Sequence, residues 1–222
     1  HLNRAPHPYC ELSQSGSHGK RVVPCRECHM PALGEDENRY NNHHIKSPLA
    51  MIDRTCQACH RESEETLRKD VYERQNKVYA IRMRVEEELT KAHIEAKFAW
   101  DKGATESQMK NVLKLLRQAQ WRWDFAVASH GAAFHAPQEV TRILGSGLDK
   151  STQARIQIMK DLAQLGYTQD VPMPDISTKA KAQQYIGLDM EAEQQAKQKF
   201  LETVIPQWQE EARANKRFIE GN

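Results

Sequence analysis

Cys25-Arg26-Glu27-Cys28-His29 and Cys56-Gln57-Ala58-Cys59-His60 repeat one pattern, C-x-x-C-H, within a chain of 222 residues. Two thiols three positions apart with a histidine directly behind them are what a covalently held haem requires. The thiols close thioether bonds to the macrocycle, and the histidine ligates its iron. A chain with two such motifs has to wrap two large, flat, apolar bodies, which constrains its first third more than any local propensity.

Two C-x-x-C pairs a few tens of residues apart also suit a four-cysteine zinc ribbon. The histidines separate the readings: with 10 histidines in 222 residues, one directly after both pairs by chance is roughly a one-in-four-hundred event. A thioredoxin-like redox pair needs a single C-x-x-C beside a strand–helix unit. The expected cofactor is therefore haem c, two copies attached through Cys25, Cys28, Cys56 and Cys59, with His29 and His60 as proximal ligands. Cys10 has no such partner and reads as a small buried hydrophobe or a free thiol.

Charge argues against a nucleic-acid partner. The chain carries 32 basic and 30 acidic residues, net +2, and the signs alternate along the helical stretches instead of forming basic blocks. Hydrophobic residues make up only 39% and no apolar run reaches membrane-spanning length, so buried haem supplies apolar surface that the sequence lacks. Covalent haem attachment takes place outside the bacterial cytoplasm, which makes a periplasmic location the expectation. No secretory signal stands at His1-Leu2-Asn3-Arg4, so a processed product, a fragment or one half of something larger is expected.

Residues 1–61 are rich in Pro, Gly, Ser, Asn, Cys and His and read as a haem-binding segment of loops; residues 62–222 read as a helical region. Leu67, Val71, Val78, Ile81, Val85, Leu89, Ala92, Ala96 and Ala99 recur at helical spacing and predict a long amphipathic helix ending at Gly103. Thr105 and Gln108 form a capping-box pattern opening a second, which carries Val112, Leu116, Ala119, Trp123 and Val127 on one side and ends near Gly131. A short helix is expected from Pro137 to about Leu144, stopped by Gly145, and another from Ser151 to Leu165. The stretch Val171-Pro172-Met173-Pro174-Asp175 reads as an extended connector. A helix follows around Thr178–Ile186, and a last one from about Met190 towards Phe218, kinked or interrupted at Pro206. No sheet is expected, so the fold class is all-α: haem-wrapping loops followed by long antiparallel helices.

What lies opposite each iron decides its role, because a second protein ligand makes an electron-transfer haem and an open position admits substrate. His1, His7, His18, His43, His44, His93, His130 and His135, with Met30 and Met51, are the candidates. Spacing alone does not pair them with particular irons.

Taken in order, His7-Pro8, His18-Gly19-Lys20, Cys25-x-x-Cys28-His29-Met30-Pro31, Cys56-x-x-Cys59-His60, Ala119-Gln120-Trp121-Arg122-Trp123-Asp124, Ala128-Ser129-His130-Gly131 and His135-Ala136-Pro137 form a specific combination. With Pro174-Asp175-Ile176-Ser177-Thr178-Lys179 and Val204-Ile205-Pro206-Gln207-Trp208, the chain resembles the C-terminal half of the pentahaem, ammonia-forming cytochrome c nitrite reductases over essentially its whole length. The resemblance implies that Cys25, Cys28 and His29 hold the family's fourth haem with His135 opposite. It likewise implies that Cys56, Cys59 and His60 hold the fifth with His18 opposite. His43 matches a distal ligand of the second haem, with His44 beside it as the weaker choice. His7 matches the catalytic histidine that donates hydrogen bonds and protons to nitrite on a lysine-ligated haem.

No C-x-x-C-K motif occurs here. The resemblance therefore assigns that haem, the rest of the five and the active-site arginine and tyrosine to an N-terminal half outside this chain. It implies a quinol-oxidising cytochrome as donor, nitrite as substrate and a homodimer built on residues near 61–99 and 105–130. The rivals are a purely electron-carrying cytochrome and a related multihaem reductase acting on hydroxylamine, sulfite or tetrathionate. In many members a lysine carbonyl and a glutamine side chain before the active-site histidine help to bind Ca²⁺. Arg4 and Pro6 stand there instead, so calcium is expected to be absent, with the Arg4 guanidinium supplying the positive charge.

Overall fold

The computed structural model describes residues 10–129 and 131–217, with the backbone alone at Cys10 and Glu11. His1, Arg4, Pro6, His7, His130 and Phe218 lie outside the described residues. The chain divides into two compact units, His1–Val171 and Pro172–Asn222.

The first unit opens with three short helices, α1 (Cys10–Ser15), α2 (Ser17–Lys20) and α3 (Cys25–His29). Single 3-10 turns follow at Asp36–Asn38, Pro48–Ala50 and Cys56–Ala58. Both haem motifs are thus helical turns, and the segment is less irregular than its composition suggests. One small ladder departs from the expectation of no sheet: β1 (Ala32–Leu33) pairs antiparallel with β2 (Tyr40–Asn41), Ala32 opposite Asn41. Two-residue strands are too short to carry an alternating pattern that a sequence could reveal.

The body of the unit consists of α4 (Glu64–Asp101), α5 (Glu106–Ala128), the single turn α6 (Ala132–His135) and α7 (Pro137–Gln164). Ser63 caps α4 by accepting the Thr66 N–H at 3.2 Å. The capping box of α5 is complete, with Gln108 N–H donating to Thr105 Oγ1 at 3.3 Å and Thr105 N–H to Gln108 Oε1 at 2.9 Å. Arg155 on α7 reaches Glu95 on α4, and Val85 packs beside Gly147, so α4 and α7 run in the same sense. Arg122 on α5 donates to Ser146 on α7 at 3.0 Å, while Met109 shares a cluster with Ile158 and Leu162, which places α5 antiparallel to both.

Two buried clusters hold this body together. The larger joins Leu89, Ala92, Ala96 and Ala99 of α4, Met109, Val112, Leu116 and Ala119 of α5, and Ala154, Ile158 and Leu162 of α7. The other joins Leu12 of α1, Val78 and Val85 of α4, Ala132 and Ala136 around α6, and Val140 and Leu144 of α7. The second cluster matters for function because it seats α1 and α6 on the rigid helices.

α7 corrects one expectation. Gly145 does not stop a helix and Ser151 does not start one: α7 runs unbroken for 28 residues. Gly147 is buried, and a Cβ on it would lie 3.4 Å from both the Arg122 Cβ and the Val85 Cγ1, so the glycine lets three helices approach closely. Ser151 Oγ donates to the Gly147 and Leu148 carbonyls at 3.0 and 2.9 Å, a bond within the helix and not a cap. Gly145, by contrast, would point a Cβ into open space. Gly145→Ala is therefore expected to raise stability by about 1 kcal/mol through helix propensity, and Gly147→Leu to lower it by about 2 kcal/mol through overpacking. Denaturant midpoints check both, and a destabilising Gly145→Ala would restore the broken helix.

The second unit opens with residues 172–176, which form neither helix nor strand, and continues to α8 (Lys179–Tyr185), capped by Thr178. The final helix, α9 (Met190–Ala214), begins at the Asp189 cap and passes through Pro206 without interruption. Among the described residues no helix is long and apolar enough to cross a membrane.

Candidate haem centres

α6 is a single turn held at both ends. Gly131, its N-cap, has φ +79°, a left-handed conformation that favours glycine, and Ala132 and Ala136 are buried in the second cluster. The turn presents Phe134 and His135. Opposite it, α1 and α2 meet at the buried Gly16, where a Cβ would collide with the His135 carbonyl oxygen. The chain can cross there because Gly16 has no side chain, and α2 then presents His18.

This crossing brings four histidines together in two pairs. The His29 and His135 rings have centroids 5.9 Å apart at an interplanar angle of 44°. The His18 and His60 rings are 6.1 Å apart at 70°. A metal bound by two imidazole nitrogens at about 2 Å each holds the ring centroids about 6 Å apart, whatever the rotation of one ring relative to the other. Each pair therefore has the spacing for one iron between its rings.

Three of the four rings meet a polar group on one side. His29 donates Nδ1–H to the Lys46 carbonyl at 3.1 Å, and His60 Nδ1 lies 3.7 Å from the Glu62 carboxylate. The His135 ring bonds the Gly131 backbone, with Nδ1 among its atoms nearest that glycine. A backbone carbonyl or carboxylate on one ring nitrogen fixes the tautomer that leaves the other nitrogen's lone pair for a metal.

Burial, then the neighbouring His29, pushes the His135 pKa below its ordinary value; the Gly131 hydrogen bond opposes this and His18 adds to it. Partial burial of its ring likewise lowers His18, followed by His60, Arg74 and Arg21. Both rings thus favour the neutral form that ligates iron. Burial pushes the Cys28 thiol up, and Cys56, Cys59, Glu27 and Cys25 push the same way, so the two motifs lie side by side. The donor set fits haem, with two nitrogens per centre and two thiols within a turn of His29 and of His60. Among the described residues no group of three or more His, Cys, Asp or Glu side chains is arranged to hold a metal ion.

Other candidates are not drawn in. His43 and His44 are exposed and join neither pair; the His44 N–H instead bonds Asn42 Oδ1 at 2.9 Å. Met51 Sδ accepts from Asn42 Nδ2 at 3.6 Å, and His93 is exposed on α4. Sequence reasoning overlooked Phe134, Gly16, the Lys46 carbonyl and Glu62. Glu62, two residues after a proposed ligand, carried a local signal; the Lys46 carbonyl and the Gly16 crossing exist only in three dimensions.

The model of the cytochrome c552 family matches residues 1–216. The chain belongs to the cytochrome c552 family. It is 68% identical over 222 residues to cytochrome c-552 of Parabacteroides distasonis, covering 98% of this chain and 45% of that one. It is 66% identical to cytochrome c-552 of Bacteroides thetaiotaomicron (98% and 44%) and 59% identical to that of Porphyromonas gingivalis (96% and 44%). The chain thus spans less than half the length of these relatives. Among solved structures it is similar to the catalytic subunit of the cytochrome c nitrite reductase of Desulfovibrio desulfuricans, with a TM-score of 0.64 and 28% identity over 69% of this chain and 33% of that chain. As a member of this family the chain is a c-type haem protein, built on the all-α plan expected of it.

Proposed function

We propose that this chain forms the C-terminal part of a periplasmic, ammonia-forming cytochrome c nitrite reductase, and that it carries two bis-histidine haems that deliver electrons. The observation that carries the reading is the crossing of α2 and α6, which sets His18 opposite His60 and His135 opposite His29 at the spacing of a six-coordinate iron. The similarity to a solved cytochrome c nitrite reductase supports it.

When bound, haem supplies one-electron redox chemistry at each centre. Cys25, Cys28, Cys56 and Cys59 would fix it covalently, His29 and His60 would ligate from one side, and His135 and His18 from the other. With a histidine on each side of both haems, neither centre would admit substrate. Nitrite reduction by six electrons would then belong to a haem outside this chain, where His7 would donate hydrogen bonds and protons to the nitrite oxygens. His43, exposed, would ligate a haem of that other half. A quinol-oxidising cytochrome is the electron donor. A homodimer through α4 and α5 fits the exposed Tyr72, Tyr79, Met83 and Trp100 of α4 and Leu113 and Trp121 of α5.

The same filled coordination also favours a second reading, a cytochrome that carries electrons and catalyses nothing. Haemochrome quantitation against amino-acid analysis, together with ammonium measured after nitrite is added to the reduced protein, separates the two. Five haems and stoichiometric ammonium support the reductase; two haems and no ammonium leave the carrier. Metal analysis showing a tightly held Ca²⁺ at the active-site haem would overturn the proposed loss of calcium at Arg4 and Pro6. His135→Ala is expected to turn one haem from low-spin to partly high-spin without releasing it, since both thioethers remain. An unchanged electron paramagnetic resonance spectrum would remove His135 from the ligand set.

A further inference from the structure

Between the two histidine pairs lies one aromatic ring that neither the motifs nor the ligand assignment uses. Phe134 packs edge-on against His135, with centroids 5.7 Å apart at 72°. The same ring lies 5.9 Å from His18 at 30°. His60, His18, Phe134, His135 and His29 thus form one continuous run of rings. Phe134 is half-buried, and its backbone belongs to the α6 turn anchored on the buried Ala132 and Ala136.

We propose that Phe134 is a positioning residue shared by both centres, setting the orientation of the two distal imidazoles together so that the ligand fields of the centres are coupled. This rests on the reading of His18 and His135 as iron ligands, and it is independent of nitrite as the substrate. His18 has little else to hold its ring: it is exposed, and α2 is a single turn with no buried residue. A ring contact is directional as well as cohesive, since aromatic pairs prefer particular tilts and centroid distances. An aliphatic side chain of similar volume fills the space without fixing either neighbour's plane. His135 keeps its Gly131 bond in such a variant, so a disturbance of Phe134 reaches the two rings unequally but at the same time.

The test compares Phe134→Leu, Phe134→Tyr, His18→Ala and His135→Ala in the haem-loaded protein. The two histidine variants identify which low-spin resonance belongs to each centre. Phe134→Leu is expected to shift both resonances and to convert part of each to high spin, the His18 centre more. Phe134→Tyr, which keeps the ring and can turn its hydroxyl to solvent, is expected to restore both. Phe134→Met takes the place of the leucine variant if that is not recovered with haem. Both resonances unmoved in Phe134→Leu while the unfolding midpoint falls would show mere packing and overturn the proposal. A shift at one centre alone would overturn the coupling. Histidine variants without any spectral change would overturn the ligand reading itself and the proposal with it.

Discussion

Glu95→Ala is expected to lower the stability of the helical body by about 3 kcal/mol, the scale for breaking a buried ion pair at one end. Glu95 is 4% exposed in the C-terminal third of α4. Its carboxylate receives Nε–H of Arg155 at 3.0 Å on both oxygens and Nη2–H at 2.7 Å on one, while Nη1–H goes to Glu88 at 2.7 Å. The bond to Glu95, followed by that to Glu88, holds the Arg155 proton more tightly than usual against the opposing effect of burial. Truncating Glu95 leaves that guanidinium partly buried with one partner, opens a cavity, and releases α7 from α4. Glu139→Ala removes an ion pair to Arg142 whose side chains are 34% and 68% exposed, and is expected to change stability by less than about 1 kcal/mol. Denaturant unfolding of the two variants in parallel provides the measurement. Equal losses would mean that the Glu95–Arg155 pair specifies helix register and adds little net stability.

Gly16→Val is the second large effect, again about 3 kcal/mol, at the upper end for overpacking because the obstacle is backbone. A side chain at position 16 meets the carbonyl oxygen and carbon of His135, and the neighbouring Ser13 carbonyl blocks retreat on the other side. The whole α1–α2 turn has to lift from α6. Since α2 carries His18 and α6 carries His135, both haem centres are expected to lose low-spin character along with the loss of stability. Unfolding midpoints and electron paramagnetic resonance on the same sample check this. A destabilised variant with both centres intact would show that α2 is held by its haem and not by its contact with α6.

Much of the helical body was legible. The stripe from Leu67 to Ala99 on α4 is the buried face, with Val71 and Ile81 half-buried at its margin. Thr105 and Gln108 cap α5 as their spacing foretold. The misreading of α7 arose because a helical glycine looks like a stop: Gly145 has only open space where a Cβ would point and lies inside a helix packed along much of its length, while Gly147 beside it is explained by Val85 and Arg122. Glu95 is buried off the apolar stripe where α7 meets it, Arg155 arriving from 60 residues away.

The sequence by itself determined the cofactor chemistry and the helical plan. Thioether attachment needs residues within one turn of each other, and a long amphipathic face repeats its signal many times. Spacing alone did not say what faces each motif histidine; the resemblance implied His18 and His135, and the tertiary structure brings their rings beside His60 and His29 from distant chain segments through a crossing at Gly16. It also decided that one phenylalanine touches both distal rings. Contacts of that kind leave no period in a sequence; they arise where short turns, too small to be stable alone, are fixed by the helices on which they rest.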